Sequence, residues 1–541
     1  MSGEIAMDVE PVVAGVPQAF LIGAEDFKED QLAGALGPDF RVGFERAKAQ
    51  DLTFFDTFEW GVWFREALLY ESAGTFHLAR LEGGWIGQEL CAEEVREASP
   101  GFVWDFHNPC LRAELEQPLG LRRIVPIAEF RIVRRLAELS NASEKIVCRF
   151  ELATLFPVNH PRSPFCRLCR ILPLRGYEDQ GARVRKALLA SGCSVFAEGP
   201  MPSYLRRLGN SPRRYTIRPA FGLTPGLPAR EAVLRIVRRM LDLVAENEPG
   251  IVRDQDTEFL HDYRICLRKI RSVITLIDGV FPAETTARLK KILSGLARAT
   301  NRLRDLDVCL LARGEYAGHL PAALRPALEP MFADFEAERA VELAAVVRHL
   351  KSSPCRRRMR ELAALFDKDC GLPPSQHSDA AVGPLVFKRI FKRYRKIRNV
   401  EGELGADTPD EAVHEVRIQG KKLRYLMEFF SELLPAGDSA PLEKGLRRLQ
   451  NRLGNFNDFS VHQKFFLEYW SRKKDEPGLA SELPLALGGL ITALYLRQQE
   501  QRKDIQSALA AFCGREVSGA FKRTFKPVIP PAPAGPPAEA A

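Results

Sequence analysis

The sequence predicts two unlike halves: an α+β domain built on an antiparallel, barrel-like sheet, then an all-α domain of two related helical bundles. Three observations predict this. Residues up to about 200 read as short strands rich in Phe, Thr and aliphatics and broken by Gly. From about 226 strand signals vanish and apolar residues recur at three and four. The helical half also repeats itself at an offset of 153 residues.

In the first half, QAFLIGA, DLTFFDTFEW, WFREALLYES and GTFHLARLEGG read as antiparallel strands. LRRIVPIAEFRIVRRL, EKIVCRFELATL and SPFCRLCRILPLRG continue the pattern, and YEDQGARVRKALLASG reads as one helix closed by Gly192. Many alternating strands suggest a barrel or a strongly curved sheet. The stretch 201–225 is rich in Pro, Gly and Arg and reads as a linker. The helical domain is expected over 226–525, in units of about 226–369 and 380–525 separated by CGLPPSQHSD. The last residues, 526–541, have the Pro- and Ala-rich composition of a disordered tail.

The 541 residues carry 27% charged and 45% hydrophobic side chains, which excludes a disordered, collagen-like or disulfide-stapled chain. No apolar run approaches the ~20 residues of a membrane-spanning helix, and the acidic start does not read as a secretory signal. Of eleven cysteines, Cys166 and Cys169 form the one CxxC. Zinc would need two further ligands, which His160 alone does not supply, so unpaired thiols in a reducing, cytoplasmic setting are expected. No cofactor or metal is expected. Charge divides with the texture: the first 220 residues carry 27 Lys and Arg against 29 Asp and Glu, and residues 221–525 carry 50 against 40. The helical half therefore favours an anionic partner.

The repeat shows where that charge is concentrated. At the common offset His261 meets His414, Arg264 meets Arg417, Arg268 meets Lys421, Lys269 meets Lys422 and Arg271 meets Arg424. Asp305 then meets Asp458, and upstream Arg235 and Arg239 meet Lys388 and Lys392. At about 100° per residue, steps of three, seven and ten keep one face of a helix. His261, Arg264, Arg268 and Arg271 form one basic stripe; His414, Arg417, Lys421 and Arg424 form the second, with Lys269 and Lys422 at the flanks. A solvated face would carry carboxylates three or four residues away. The first stripe reads as free of them; in the second, Glu428 reaches Arg424 and Glu411 reaches His414. Neighbouring like charges ~6 Å apart repel by about 0.7 kcal/mol even in water, so the pattern calls for an anion. Guanidinium, ammonium and imidazole in a row suit phosphate oxygens. Tyr263 and Tyr425 are the only aromatics on offer for stacking, which favours a base-free polyanion over RNA.

At these residues the sequence resembles the CHAD family, the conserved-histidine α-helical domain. HxxRIxxRKIR, LRDLDV, HxVRIxxKKLRY and LGNFND match its hallmark segments in order; the first copy departs in reading Thr300-Asn301 where the family has Leu-Gly. The resemblance implies two helical bundles related by a pseudo-two-fold axis and binding of inorganic polyphosphate in a basic cavity. Carried over by position, the ligands would be His261, Arg264, Arg268, Lys269, Arg271, His414, Arg417, Lys421, Lys422 and Arg424. Arg235, Arg239, Lys388 and Lys392 would form a second tier, and Asp305 and Asp458 would orient the cations. Polyphosphate granules are a corresponding location.

The first 200 residues resemble a divergent CYTH domain, the triphosphate tunnel barrel, at FFDTFEW, LLYESAGTFHLARLEGG and CRFELATL. That family opens with Glu-x-Glu-x-Lys, whose carboxylates hold the metal. Here the first strand has no Glu pair, and Glu114 and Glu116 precede Pro118 in an apparent helix. The expectation is a non-catalytic polyphosphate-binding protein. The rivals are a metal-dependent triphosphatase and a basic scaffold for RNA or an acidic protein.

Overall fold

The computed structural model describes residues 18–22, 40–95, 100–158, 162–172, 174–196, 198–367, 371–401, 408–435, 439–477 and 481–526, together with isolated positions between 34 and 38. His160, Cys370 and the tail beyond Lys526 lie outside the described residues. The chain divides into two units, Met1–Thr216 and Ile217–Ala541.

The first unit is a ten-stranded sheet in which every pairing is antiparallel. Its strands are β1 (Gln18–Ile22), β2 (Phe40–Phe44), β3 (Lys48–Asp56), β4 (Ala67–Ser72), β5 (Thr75–Glu82), β6 (Trp85–Glu94), β7 (Val125–Asn141), β8 (Ile146–Pro157), β9 (Cys166–Leu172) and β10 (Ser194–Val195). Helix α1 (Pro109–Leu119) follows β6, and α2 (Glu178–Ala190) and α3 (Pro200–Arg207) flank β10. The order is β10-β1-β9-β8-β7-β3-β4-β5-β6, and the long β7 also carries β2.

The expected barrel is not closed: among the described residues no strand pairing joins β6 to β10. The backbone at the start of β6 is satisfied otherwise. Met201 N–H donates to the Gly84 carbonyl at 3.0 Å, and Arg170 donates to that of Ile86. Residues 200–207, read from sequence as the start of a linker, instead form α3, whose Met201, Tyr204 and Leu205 are buried in the core. That core gathers Leu52, Phe54, Trp85, Phe130, Ile132 and Leu155. Alternation along each strand puts such residues on one face.

Cysteine placement follows from the same period of two. Cys166 and Cys169 are three apart on β9 and join different clusters, Cys166 packing with Phe130 and Tyr204 and Cys169 with Val184 and Leu188. The two thiols of the CxxC therefore face opposite ways and do not share a ligand site. Cys91 of β6 and Cys110 of α1 are joined as a disulfide. The expectation of unpaired cysteines fails at this pair.

The second unit is helical: α4 (Ala229–Val252), α5 (Thr257–Leu276), α6 (Ala283–Arg298), α7 (Asn301–Leu311), α8 (Arg313–Gly318), α9 (Glu329–Lys351), α10 (Ser353–Leu365), α11 (Val382–Asn399), α12 (Asp410–Phe429), α13 (Ser439–Lys473), α14 (Leu483–Cys513) and α15 (Arg515–Phe525). Asp256 caps α5 by accepting from Glu258 N–H at 3.0 Å, and Ser352 caps α10. Pro228, Pro282 and Pro409 stand immediately before α4, α6 and α12, where a missing N–H costs nothing. The heads of α4 and α11 meet in an antiparallel bridge between Pro228 and Ala381, which are repeat equivalents.

The expected units do not have wholly separate cores. One apolar cluster joins Leu306, Tyr316, Phe332 and Phe335 from the first to Phe466, Tyr469, Leu487 and Leu490 from the second. The long α13 and α14, 35 and 31 residues, supply the second set. No described helix is long and apolar enough to cross a membrane.

One position tests the α3 junction. Gly199 has φ of +77°, and a Cβ there would collide with the backbone of Gly83 and Gly84. Gly199→Ala is expected to cost at least about 2 kcal/mol, from left-handed strain plus overpacking. Urea unfolding of the variant against the parent checks this.

Candidate functional site: a basic cavity between the repeated helices

Helices α5 and α12, the two stripe-bearing segments, pack against each other. Their apolar residues, among them Phe259, Leu267 and Ile270 on α5 and Val416, Leu423 and Leu426 on α12, are buried. The turns between them leave the cationic stripes at a cavity of about 670 Å³. From α5 it receives His261, Arg264 and Arg268; from α12, Arg417 and Lys421. Helix α7 adds Arg302, Arg304 and Asp305, and α13 adds Asp458, His462, Lys464 and Glu468. The lining thus holds seven Lys and Arg against three carboxylates.

Each cation is held differently. Arg264 donates to the Ala297 carbonyl at 2.9 Å and to Thr300 and Asn301 side chains at 2.8 Å each. This fixes it at the start of α7, through the pair Thr300-Asn301. Arg302 is clamped by both oxygens of Glu338, at 2.6 and 2.7 Å, and lies over the Phe465 ring. Arg417 stands 4.0 Å from Asp458. The Nε atoms of Arg268 and Arg417 are buried without a hydrogen-bond partner, a cost that an incoming acceptor relieves.

The electrostatics agree. Burial lowers the pKa of Arg264 and Arg417 from the ordinary guanidinium value, against the pull of Asp305 and Asp458 respectively. Lys421 is lowered to about 8, by burial first and then by Arg417, Arg268 and Arg424. Arg268 and Lys421 are repeat equivalents, so the duplicated cations act on each other across the helix pair. Asp305 is raised by burial despite Arg264, Arg302 and Arg304. His462 is lowered by burial, opposed by Asp458, and its Nδ1 lies 3.0 Å from the Tyr316 hydroxyl.

The remaining stripe residues are distributed around this cavity. His414 opens on an adjoining cavity of about 360 Å³ that shares Arg417, Val461 and Lys464 with it. Arg424 lines a third, of about 450 Å³, with Arg218 and Arg447. Arg271 donates to Ser294 at 3.2 Å and lines none of the three.

Lys269 departs from its expected role. Its side chain is only 4% exposed and is ion-paired with Glu428, while its ammonium also donates to the Ile217 carbonyl at 2.5 Å. Glu428, expected from sequence beside Arg424, is engaged by Lys269 and by Arg218 at 3.6 Å. Lys422 turns away from the cavity towards Arg393 and Lys396, next to which its pKa is lowered, burial being the larger cause. Of the second tier, Arg235 pairs with Glu231 at 2.8 Å and Arg239 with Glu246 at 3.1 Å. Lys388 and Lys392 are exposed on α11 and line none of the three cavities.

Reading the first stripe as free of acids holds for its arginines and fails at His261. Glu258, three residues earlier, and Asp262 present oxygens within 4.8 Å of that imidazole and of each other. Sequence reasoning also missed Arg302, Arg304, His462 and Lys464. Arg304 adjoins the matched Asp305 in NRLRDLDV and Arg302 stands three residues before it; His462 stands four residues past Asp458, the spacing that keeps a helix face, and Lys464 six past it.

The geometry defines a class, a helical domain with a cation-lined cavity to which both copies of the repeated motif contribute. Residues 235–467 match the family model of the CHAD domain, a little under half of the chain. The crystal structure of the CHAD domain from the plant Ricinus communis is 23% identical, covering 54% of this chain and 96% of that one with a TM-score of 0.46. PptA from Streptomyces chartreusis is 16% identical, covering 55% of this chain and 100% of that one with a TM-score of 0.36. No curated protein matches.

Two outcomes follow from the site. Lys269→Ala leaves Glu428 poorly compensated and should destabilise the helical unit by about 3–5 kcal/mol, read by denaturant unfolding. Lys421 should titrate near pH 8, visible in the ammonium-adjacent carbon shift of a lysine-labelled sample and absent in Lys421→Gln.

Proposed function

We propose that the helical unit binds inorganic polyphosphate in the cavity between α5 and α12, without catalysing its turnover. The observation that carries this reading is the surplus of cations lining one cavity, with Arg268 and its repeat equivalent Lys421 close enough to depress the Lys421 pKa. An anion with many charges along its length lowers the energy of every such pair at once. The match of residues 235–467 to the CHAD domain supports the same ligand, since basic residues at these positions suit a phosphate chain in the family the sequence resembles. In this reading the helical half is a duplicated unit with a pseudo-two-fold axis passing between α5 and α12. The packing of those helices and the Pro228–Ala381 bridge support it.

The non-catalytic part of the reading rests on the first unit. The Phe54, Tyr70, Trp85, Phe130 and Tyr204 rings pack into its apolar core. Glu114 and Glu116 are exposed on α1, away from that core. A carboxylate pair able to hold a metal against a phosphate is what the triphosphatase alternative requires. Nothing in the helical cavity pairs a nucleophile with a base in the way covalent phosphoryl chemistry needs.

Titration with polyphosphate over a salt series tests the proposal. Six to ten phosphate contacts would weaken binding by about 10³–10⁵ between 50 and 200 mM salt. Arg268→Ala and Arg417→Ala should each cost about tenfold or more in affinity, as lost charge-assisted hydrogen bonds do. Unchanged affinity in the double variant would remove the cavity as the site. Binding should also weaken as pH rises through about 8, because Lys421 is charged below its pKa and neutral above it. The bound polyanion should shift that transition upward. Release of phosphate from tripolyphosphate with Mg²⁺ or Mn²⁺ should stay at background.

A further inference from the structure

Helix α11 carries Lys388, Arg389, Lys392, Arg393, Arg395, Lys396 and Arg398 and has no Asp or Glu in its eighteen residues. Its apolar face is packed: Tyr394 stacks on Phe521 with ring centroids 3.9 Å apart, and Phe387 meets Phe525 edge-on. Of its cations, Arg389 is held by Asp278, Arg393 donates to Gln419 at 3.1 Å and Arg398 reaches Ser518. Lys388, Lys392, Arg395 and Lys396 are exposed and make no hydrogen bond or ion pair among the described residues. At about 100° per residue they fall within one arc of the helix, over a rise of about 12 Å.

The first copy shows what such a helix looks like when it is neutralised. On α4 the residues equivalent to Lys388 and Lys392 are Arg235 and Arg239, paired with Glu231 and Glu246. The equivalents of Arg395 and Lys396 are Asp242 and Leu243. Duplication alone therefore does not account for the charge on α11. The like-charge strain is also felt locally: Arg393, Lys396 and Lys290 of α6 all disfavour the charged form of Lys422, and Glu415 is the acid that opposes them. Lys422 follows Lys421 in sequence, so α12 presents one cation to the cavity and the next to α11. Lys422 thus stands among the cations of α11, one residue along from a cation of the cavity.

We propose that the outer face of α11 binds a second stretch of the same phosphate polymer, so that a long chain occupies cavity and face together while a short one fills only the cavity. This rests on the polyphosphate reading above and adds a basis for chain-length preference. The aromatic residues of α11 are turned inward or partly covered, which leaves the face without a stacking platform for bases. Two linked sites gain affinity from tethering without any new kind of contact, by 10² or more when the linker spans them.

The test compares the full chain with its K388Q/K392Q/R395Q/K396Q variant, using tripolyphosphate, long-chain polyphosphate and single-stranded RNA as probes across a salt series. The variant should bind tripolyphosphate as the parent does. It should lose at least tenfold in affinity for the long chain, and its salt slope should shrink by about 3, the value for four fewer counterions released by a flexible strand. Acetylation of Lys388 and Lys392, followed by mass spectrometry, should be blocked by the long chain and not by tripolyphosphate. Unchanged long-chain affinity and slope would overturn the proposal. So would RNA binding more tightly than polyphosphate in a manner the variant abolishes, since the face would then belong to nucleic acid. Failure of the cavity reading looks different: the parent would then fail to bind tripolyphosphate, or R268A/R417A would bind it normally.

Discussion

The buried ion pair between Lys269 and Glu428 joins α5 to α12, and the site depends on it. These two helices carry rows of like charge to a common cavity, an arrangement that electrostatics alone would push apart. Apolar burial along both helices supplies attraction without direction, while the ion pair and the Ile217 carbonyl fix one cross-helix contact in place. The lysine that the repeat groups with the ligands is thus the one that lets the other cations converge. Its equivalent Lys422 turns towards the cations of α11 instead.

Convergence has a second effect. Arg264 and Arg302 are held by several acceptors each, so their forks are oriented before any anion arrives. Arg268 and Arg417 keep a buried Nε without an acceptor, and the Lys421 pKa is lowered to about 8 by burial and then by neighbouring cations. The cavity therefore combines preset donors with underused ones. The first unit contrasts with this: its core is aromatic, and its Arg122 is spent on Glu59 within the unit.

Much of this was legible in the sequence, for physical reasons. Hydrophobic period separated the strand half from the helix half, because backbone geometry sets where side chains point. The 153-residue offset located His261, Arg264, Arg268, Arg417 and Lys421, which do come together. What escaped were facts that depend on non-local neighbours. Lys269 and Arg268 are adjacent and both basic; the helix turn puts Lys269 at the flank, and Glu428 on another helix makes it a strut. The open sheet escaped because edge closure is decided by α3 and Arg170, far away in the chain. Arg302 and Lys464 escaped because the repeat matches neither of them with a cation.

The apolar cluster shared by α7, α8, α9, α13 and α14 has a consequence for how such a protein changes over time. Two copies with private interiors can drift independently, each tolerating whatever its own packing allows. Here Phe335 meets Phe465 and Tyr469, and Tyr316 meets Phe466, so a change of volume in one half is felt in the other. The halves are bound to diverge in step, and neither can be excised to leave a finished domain behind.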